Sequence, residues 1–413
     1  MQRSLFSGVT GLRNHQTKLD VIGNNIANVN TIGFKSSRVR FQDVYSQMIR
    51  GASAPMNGRG GTNASQVGMG VTISAIDTLH TQGSPQYTGN PDDMVIQGSG
   101  YFVVTDGFNS YFTRDGAFSL GIDRDLVNSA NGLKLLGWQA DADGTIDTNT
   151  PLTTLNIPLG EKVVSRATGQ MKFSGNLDAE AAGHVTEALI YDSQGRAYSL
   201  NLTFTKTADN EWNLSGAELR SAAGDLVPGI TLTGLGAELR FTANGSFVPA
   251  AASQISITGL PGGAEDLQIS LDFSSLSQKV GKSNARMDTQ DGFPVGVLES
   301  YMVGKTGIIS GIYTNGMVRD LGQIALASFA NPEGLTKASG NLYAVSANSG
   351  EPNIGAAGED SRGTIETSSL EMSNVDLSYE FTEMITTSRA YQANSRVITT
   401  SDELLQEVVN LKR

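Results

Sequence analysis

From Leu370 to Arg413 apolar residues fall at every seventh position, Leu377, Met384, Tyr391, Ile398 and Leu405, with Ile385, Leu404, Val408 and Leu411 beside them. No Gly or Pro interrupts the run. Side chains at that spacing share one face of a helix, and a lone helix of this kind is marginal in water because nucleation is costly. The stripe must therefore be covered by the chain's own core, by a second helix or by another subunit.

Residues 1–30 carry the same pattern. Leu5, Leu12, Leu19 and Ile26 recur every seven residues, with Val9, Ile22 and Val29 in flanking positions, so this segment also reads as an amphipathic helix. Its charges are basic (Arg3, Arg13 and Lys18, continuing into Lys35, Arg38 and Arg40), whereas the last segment opens with Glu371, Asp376, Glu380 and Glu383. Such pairs contribute little each at a surface but favour one partner and register over others. Antiparallel or staggered pairing of the two ends as a coiled-coil-like layer follows as an expectation, beside independent docking of each end. Leu5, Leu12, Leu19, Ile22, Ile26, Leu377, Met384, Tyr391, Ile398 and Leu405 are the candidate subunit-interface residues.

A chain of 413 residues exceeds one ordinary core, so two to three domains are expected. Its 48 Gly against 2 Trp favour turns and short strands between the helical ends. The expected class is mainly β with α-helical termini. A net charge of −12 argues against nucleic acid as a partner. Zero Cys removes disulfides and thiolate chemistry, and only His15, His80 and His184 are available for a His-dependent site. No cofactor, metal or catalytic residue is expected. The N-terminus lacks an apolar core and cleavage site of a secretory signal, and no window reaches the apolar length of a membrane span. A soluble chain, exported if at all without a cleaved signal, is the expectation.

After the first helix come Asn24, Asn25, Asn28 and Asn30, then Gly33, Phe34 and Lys35. Asn side chains compete for backbone hydrogen bonds and Gly tolerates positive φ, so the cluster marks a helix end turning into extended chain, with Phe34 as an apolar anchor. The run Gly23–Lys35 resembles the N-terminal signature of bacterial flagellar rod and hook proteins. Ser373–Ile385, continuing through Ser388–Ser395, resembles the matching C-terminal signature. Gly98–Val104 with Phe112–Phe118 is similar to the inner β domain of the same proteins.

Between the signatures the pattern is β. Residues 31–70 and 350–369 read as connectors, the Gly-rich 51–70 as flexible and 350–363 as a loose return. Residues 71–144 and 285–349 read as an inner β domain interrupted by an outer one at 145–284. Hairpin turns are expected at Asp192–Gly195, at Asn244 and Gly245, and at Asn315 and Gly316, and an Asp-Gly turn at Asp115 and Gly116. Asp141–Asp147 has the look of a calcium loop, but its Gly comes too early and no Glu closes it, so it reads as a turn.

The resemblance implies a structural subunit that polymerises with itself into the hollow, curved flagellar hook, a flexible torque coupling. The long insertion at 145–284 favours the hook over the shorter distal rod proteins. Distal rod, hook cap and hook-filament junction proteins are the further partners it implies, and the flagellum's own type III pathway is the implied route of export. A secreted β-rich carbohydrate-active enzyme or adhesin is the alternative of another class, resting on adjacent acids such as Asp92-Asp93 and Glu359-Asp360. Adjacency does not supply the carboxylate separation of a glycosidase, so solvated turns are the better reading.

Overall fold

A computed structural model of the chain describes residues 2–55, 60–141, 144–160, 163–249 and 253–410. The chain divides into two compact units, one of residues 1–157, 302–310 and 320–413, the other of residues 158–301 and 311–319.

The first unit holds both helices, α1 (Gln2–Ala27) and α2 (Leu377–Asn410), and a β core. In that core the strands Val318–Ser328, Lys134–Gln139, Tyr101–Thr105, Ser110–Thr113, Leu342–Ala344 and Thr336–Lys337 lie side by side in this order. Tyr101 to Val104 is a continuous apolar run, and all four side chains are buried, as in a strand covered on both faces. Tyr101, Val103, Phe112, Ala327, Leu335 and Tyr343 form its centre, where the Phe112 ring meets Phe329 edge-on at 4.8 Å.

The second unit is built of two five-stranded sheets. One runs Thr231–Thr233, Ser253–Thr258, Leu267–Lys279, Gln170–Asp178, Arg286–Gln290, with its two long central strands parallel. The other runs Gly183–Tyr191, Ala197–Ala208, Glu211–Ser221, Glu238–Phe241, Phe247–Val248. Strict alternation along Ala197–Ala208 turns Tyr198, Leu200, Leu202 and Phe204 inward, where they join Phe173, Ile269 and Phe273 of the facing sheet in one core.

The turns expected at Asp192–Gly195, Asn244-Gly245 and Asn315-Gly316 are present, with Gly195 N donating to Asp192 O, Gly245 N to Thr242 O and Gly316 N to Tyr313 O. Elsewhere the structure departs from the expectation. Leu370 does not open the second helix; it sits in the strand Ser369–Glu371 on Pro85–Tyr87, and α2 starts at Leu377 behind Asp376, whose Oδ1 accepts the Ser378 N–H at 2.8 Å. The residues 350–363 are no loose return, because Asn353–Ala356 pairs with Val318–Ser328, and the strand that follows, Thr364–Thr367, pairs with Met94–Gln97. Residues 31–70 are largely ordered: Ser37–Asp43 pairs with Val71–Thr78 and Ser46–Arg50 with Ser65–Gly68 in one long ribbon, while residues 56–59 lie outside the described residues. At Asp115-Gly116 the turn is a local one, with Ala117 N donating to Asp115 Oδ1 at 3.1 Å, and Gly116 O accepts from Met94 N. The compact units part at 157/158, 301/302, 310/311 and 319/320. Leu411 and part of the Asp141–Asp147 loop, residues 142–143, lie outside the described residues.

Candidate assembly site

The helices pair antiparallel through small and polar residues. Gly8 and Gly11 face Asn394 and Ile398, so closely that a Cβ on Gly11 would stand 2.7 Å from Asn394 Nδ2. Farther along, Lys18 Nζ meets Glu383 Oε2 at 2.5 Å and Asn25 Nδ2 donates to Glu380 Oε1 at 2.9 Å. Burial raises the Glu380 carboxyl above its ordinary value, against the pull of the Asn25 hydrogen bond. Twenty-six residues of α1 cover about 39 Å and the 34 of α2 about 51 Å. With Asn25 beside Glu380 and Gly8 beside Ile398, the last turns of α2, from Leu404 on, run past the start of α1.

This seam uses part of the candidate stripe. Ile22 is buried, while Leu5, Leu12, Leu19, Ile26, Met384, Ile398 and Leu405 are half-buried and Leu377 and Tyr391 are exposed. Larger apolar surface lies beside the stripe: Phe6 is 65% exposed, Phe381 50%, Ile385 57% and Leu404 57%. The ribbon adds Val44, Tyr45, Met48 and Ile49, all exposed. A two-stranded ribbon is marginal in water without a covering surface.

The Asn-rich segment fastens this layer to the β core. The α1 helix ends at Ala27, where the Asn28 amide donates to Asn24 O and its side chain accepts from Thr31 Oγ1. Asn25 is 1% exposed and grips Ser37, the first ribbon residue, through both its N–H and its C=O, each at 2.9 Å. Asn24 and Asn30 are exposed. Gly33 takes φ +67° and donates its N–H to Glu371 O at 2.8 Å. Phe34 is buried under the Lys337 ammonium, 4.8 Å from the ring centre.

Lys35 then enters the interior. Its Nζ bonds Glu371 Oε1 at 2.5 Å and Thr81 O at 2.6 Å, and Glu371 Oε2 receives Arg114 Nη1 at 3.2 Å. Gly83 N donates to Glu371 Oε1 at 2.8 Å, while Arg114 Nη2 holds Gly98 O at 2.7 Å. Lys35, Arg114 and Glu371 are all buried, so this carboxylate joins the N-terminal arm, the β core and the returning strand in one clasp. Burial lowers the Lys35 ammonium from its ordinary value and the Glu371 carboxylate pulls it back up. Next to Glu371, Asn374 accepts from Ser36 N and donates to Leu79 O, both at 2.8 Å.

His80 lies beside the clasp. Its Nδ1 shares a 2.7 Å hydrogen bond with the Tyr101 hydroxyl, its ring packs on Tyr343, and its Nε2 is buried without a partner. Burial, and after it the charges of Lys35, Lys337 and Arg114, lower it from 6.5 to about 4. Between these values the unfolded chain binds the extra proton, so this contribution to stability is present above pH 6.5 and is lost as the pH falls towards 4. The loss should be on the order of 2 kcal/mol. Urea unfolding of the parent and of His80→Gln at pH 7 and pH 4.5 checks this: the variant should lose less stability than the parent, and equal losses would remove His80 as the cause.

Sequence reasoning placed the Asn cluster, Gly33, Phe34 and Lys35 but missed the partners Arg114, Glu371 and Asn374. Glu371 stood in the sequence as one of several acids, and only the pairing of Ser369–Glu371 with Pro85–Tyr87, far away in the chain, sets it apart. Among the described residues no group of His, Cys, Asp and Glu is arranged to hold a metal ion, and no helix is long and apolar enough to cross a membrane. Of the adjacent acids, Asp93 accepts from Thr88 Oγ1 at 2.6 Å and Asp360 meets Arg362 at 3.3 Å, both within local turns.

Known proteins with this arrangement are recognisable from end to end. Residues 5–35 match the profile of the flagella basal body rod protein, and residues 366–411 that of the flagellar basal body rod FlgEFG protein C-terminal. Residues 95–171 match the flagellar hook protein FlgE/F/G D1 domain and 141–293 the flagellar basal body protein FlaE D2 domain. The flagellar hook protein FlgE of Borreliella burgdorferi is 42% identical, with 100% of both chains covered. The chain belongs to the flagellar hook protein family. The hook protein of Escherichia coli is 34% identical over 98% of each chain, and a Bacillus subtilis protein named flagellar basal-body rod protein FlgG is 31% identical over 100% of each. The crystal structure of Helicobacter pylori flagellar hook protein FlgE2 shares the fold, with a TM-score of 0.51 at 16% identity, covering 70% of this chain and 100% of that one.

Proposed function

We propose that the chain is the structural subunit of the flagellar hook, polymerising with copies of itself into a hollow tube that couples rod to filament. The observation that carries the reading is the apolar surface left open on a helix pair that is already formed: Phe6, Phe381, Ile385 and Leu404 gain cover only from outside the subunit. Burial at about 25 cal/mol per Å² favours assembly of such faces, and repeated contacts between unlike patches build a helical tube when the rotation does not close. The half-buried or buried stripe residues Leu5, Leu12, Leu19, Ile22, Ile26, Met384 and Ile398 hold the pair together, Leu405 lies on the overhanging end of α2, and Leu377 and Tyr391 join the outward face.

In this reading the terminal helices form the innermost layer of the tube, and the ribbon and clasp connect it to an inner β domain. The inner domain is taken as residues 71–144 and 285–349 and the outer as 145–284. The D2 profile over 141–293 supports the hook over a rod protein, since it covers the insertion on which that choice rests. Rod, cap and junction proteins at the two ends of the tube, export by the flagellar type III route and the absence of catalysis belong to the same proposal.

Negative-stain microscopy of concentrated protein tests it. The full chain should form tubes and a chain lacking residues 1–27 and 377–413 should not, with β-sheet circular dichroism retained because Glu371 stays in its clasp. Tubes from the shortened chain would overturn the assignment of assembly to the helices.

A further inference from the structure

The clasp has a geometric property beyond holding the core together. Both helices leave the β core within a few residues of it: α1 ends at Ala27, eight residues before Lys35, and α2 begins at Leu377, six after Glu371. The direction of each helix is set where the segment between it and the core is gripped. On the N-terminal side the grips are Gly33 N on Glu371 O, Lys35 on Glu371 Oε1 and Ser36 N on Asn374 Oδ1. All three end on the C-terminal segment; the β core adds Asn341 Nδ2 on Ile32 O and Lys337 Nζ on Lys35 O, neutral or backbone-directed grips beside the charged one. The core in turn holds that segment through Arg114 on Glu371 Oε2, Gly83 N on Oε1 and Asn374 on Leu79 O.

We infer that Glu371 is the positioning residue of the assembly layer: its carboxylate fixes the angle at which the helix pair stands on the β core, and Lys35 is the arm it acts on. A buried carboxylate is suited to this because its two oxygens have different partners, so that neither cation can shift without leaving charge unpaired in a dry site. An exposed ion pair would give no such definition. The consequence for a tube rests on the hook reading, because a subunit whose helices stand at one fixed angle presents the same faces at every addition. The positioning itself is a property of the single subunit and can be measured without assembly.

The chain contains no Cys, so two introduced thiols give clean spin labels. Asp20, exposed on α1, and Ile122, 99% exposed on a turn of the β core, are suitable positions. In the D20C/I122C protein, pulsed electron-electron distance measurement below the assembly concentration should give one narrow distribution. Adding Lys35→Met, which leaves Arg114 paired with Glu371, should at least double its width under conditions where the β core stays folded by Trp138 fluorescence in a Trp212→Phe background, whereas Val103→Ala, which destabilises the same core away from the clasp, should leave it narrow. Adding Glu371→Gln instead should broaden it further. A narrow distribution in Lys35→Met overturns the inference, as does equal broadening in Val103→Ala, which would make the width a reading of core stability alone. If Glu371→Gln does not fold, Lys35→Met decides alone. Because the readout is on the monomer, its failure leaves the microscopy of tubes untouched, and failure of tubes to form leaves the distance result standing.

Discussion

Replacing Phe381 and Ile385 together by Asp should abolish tube formation while leaving the monomer as stable as the parent. The two side chains stand four residues apart on one face of α2, half or more exposed. Burying each in a neighbour is worth about 1.5–3 kcal/mol, and a carboxylate placed there must be desolvated as well. A loss of about 3–6 kcal/mol per subunit raises the critical concentration roughly 10²–10⁴-fold. Sedimentation across a concentration series reads that shift directly. Circular dichroism and urea unfolding of the monomer should change by less than about 0.5 kcal/mol, as for surface substitutions generally. Tubes at the parental concentration would mean that this face of α2 points into open space in the polymer.

Gly33→Ala should have the opposite signature, a damaged monomer. At φ +67° an L side chain is disfavoured, and the added Cβ would stand 2.8 Å from Asp115 N. Neither backbone can withdraw easily, because Gly33 N is committed to Glu371 O and Asp115 N to Thr113 Oγ1. The cost should be about 2–5 kcal/mol, the sum of the conformational and overpacking terms. Each unit contains one tryptophan, Trp138 in the first and Trp212 in the second, so single-tryptophan backgrounds report on them separately. The urea midpoint seen by Trp138 should fall and that seen by Trp212 should hold. An unchanged Trp138 midpoint would show that the turn yields and that Gly33 is dispensable to the clasp.

The parts of the molecule legible from sequence are those with a local cause. Seven-residue spacing gave both helices, Asn-Gly and Asp-x-x-Gly gave the hairpins of the second unit, and the Asn cluster before Gly33 gave the end of α1. The errors share a different cause, which is long-range pairing. Residues 350–363 look like a loop because Gly and Pro break them up, yet Asn353–Ala356 is ordered by a strand partner some thirty residues earlier in the chain. Leu370 and Glu371 continue the apolar and acidic pattern of α2 in composition, but pairing with Pro85–Tyr87 holds them extended. The clasp was half visible for the same reason. Gly33 and Lys35 belong to a recognisable run, whereas Arg114 and Glu371 are brought to them only by the folded core, and nothing near either residue in sequence announces a buried charge.

The unequal lengths of the paired helices have a further meaning. Two rods that lie antiparallel and flush would have similar ends, but here α2 overshoots, and its last turns present Leu404, Val408 and Val409 beyond the start of α1. At the other end the pair terminates in the Asn-rich turn and the clasp. The layer therefore has a head and a tail of different chemistry, one an apolar cohesive end and one polar and anchored. Copies joined through such ends all point the same way, so the polarity of a growing tube is already written in the eight-residue difference between 26 and 34.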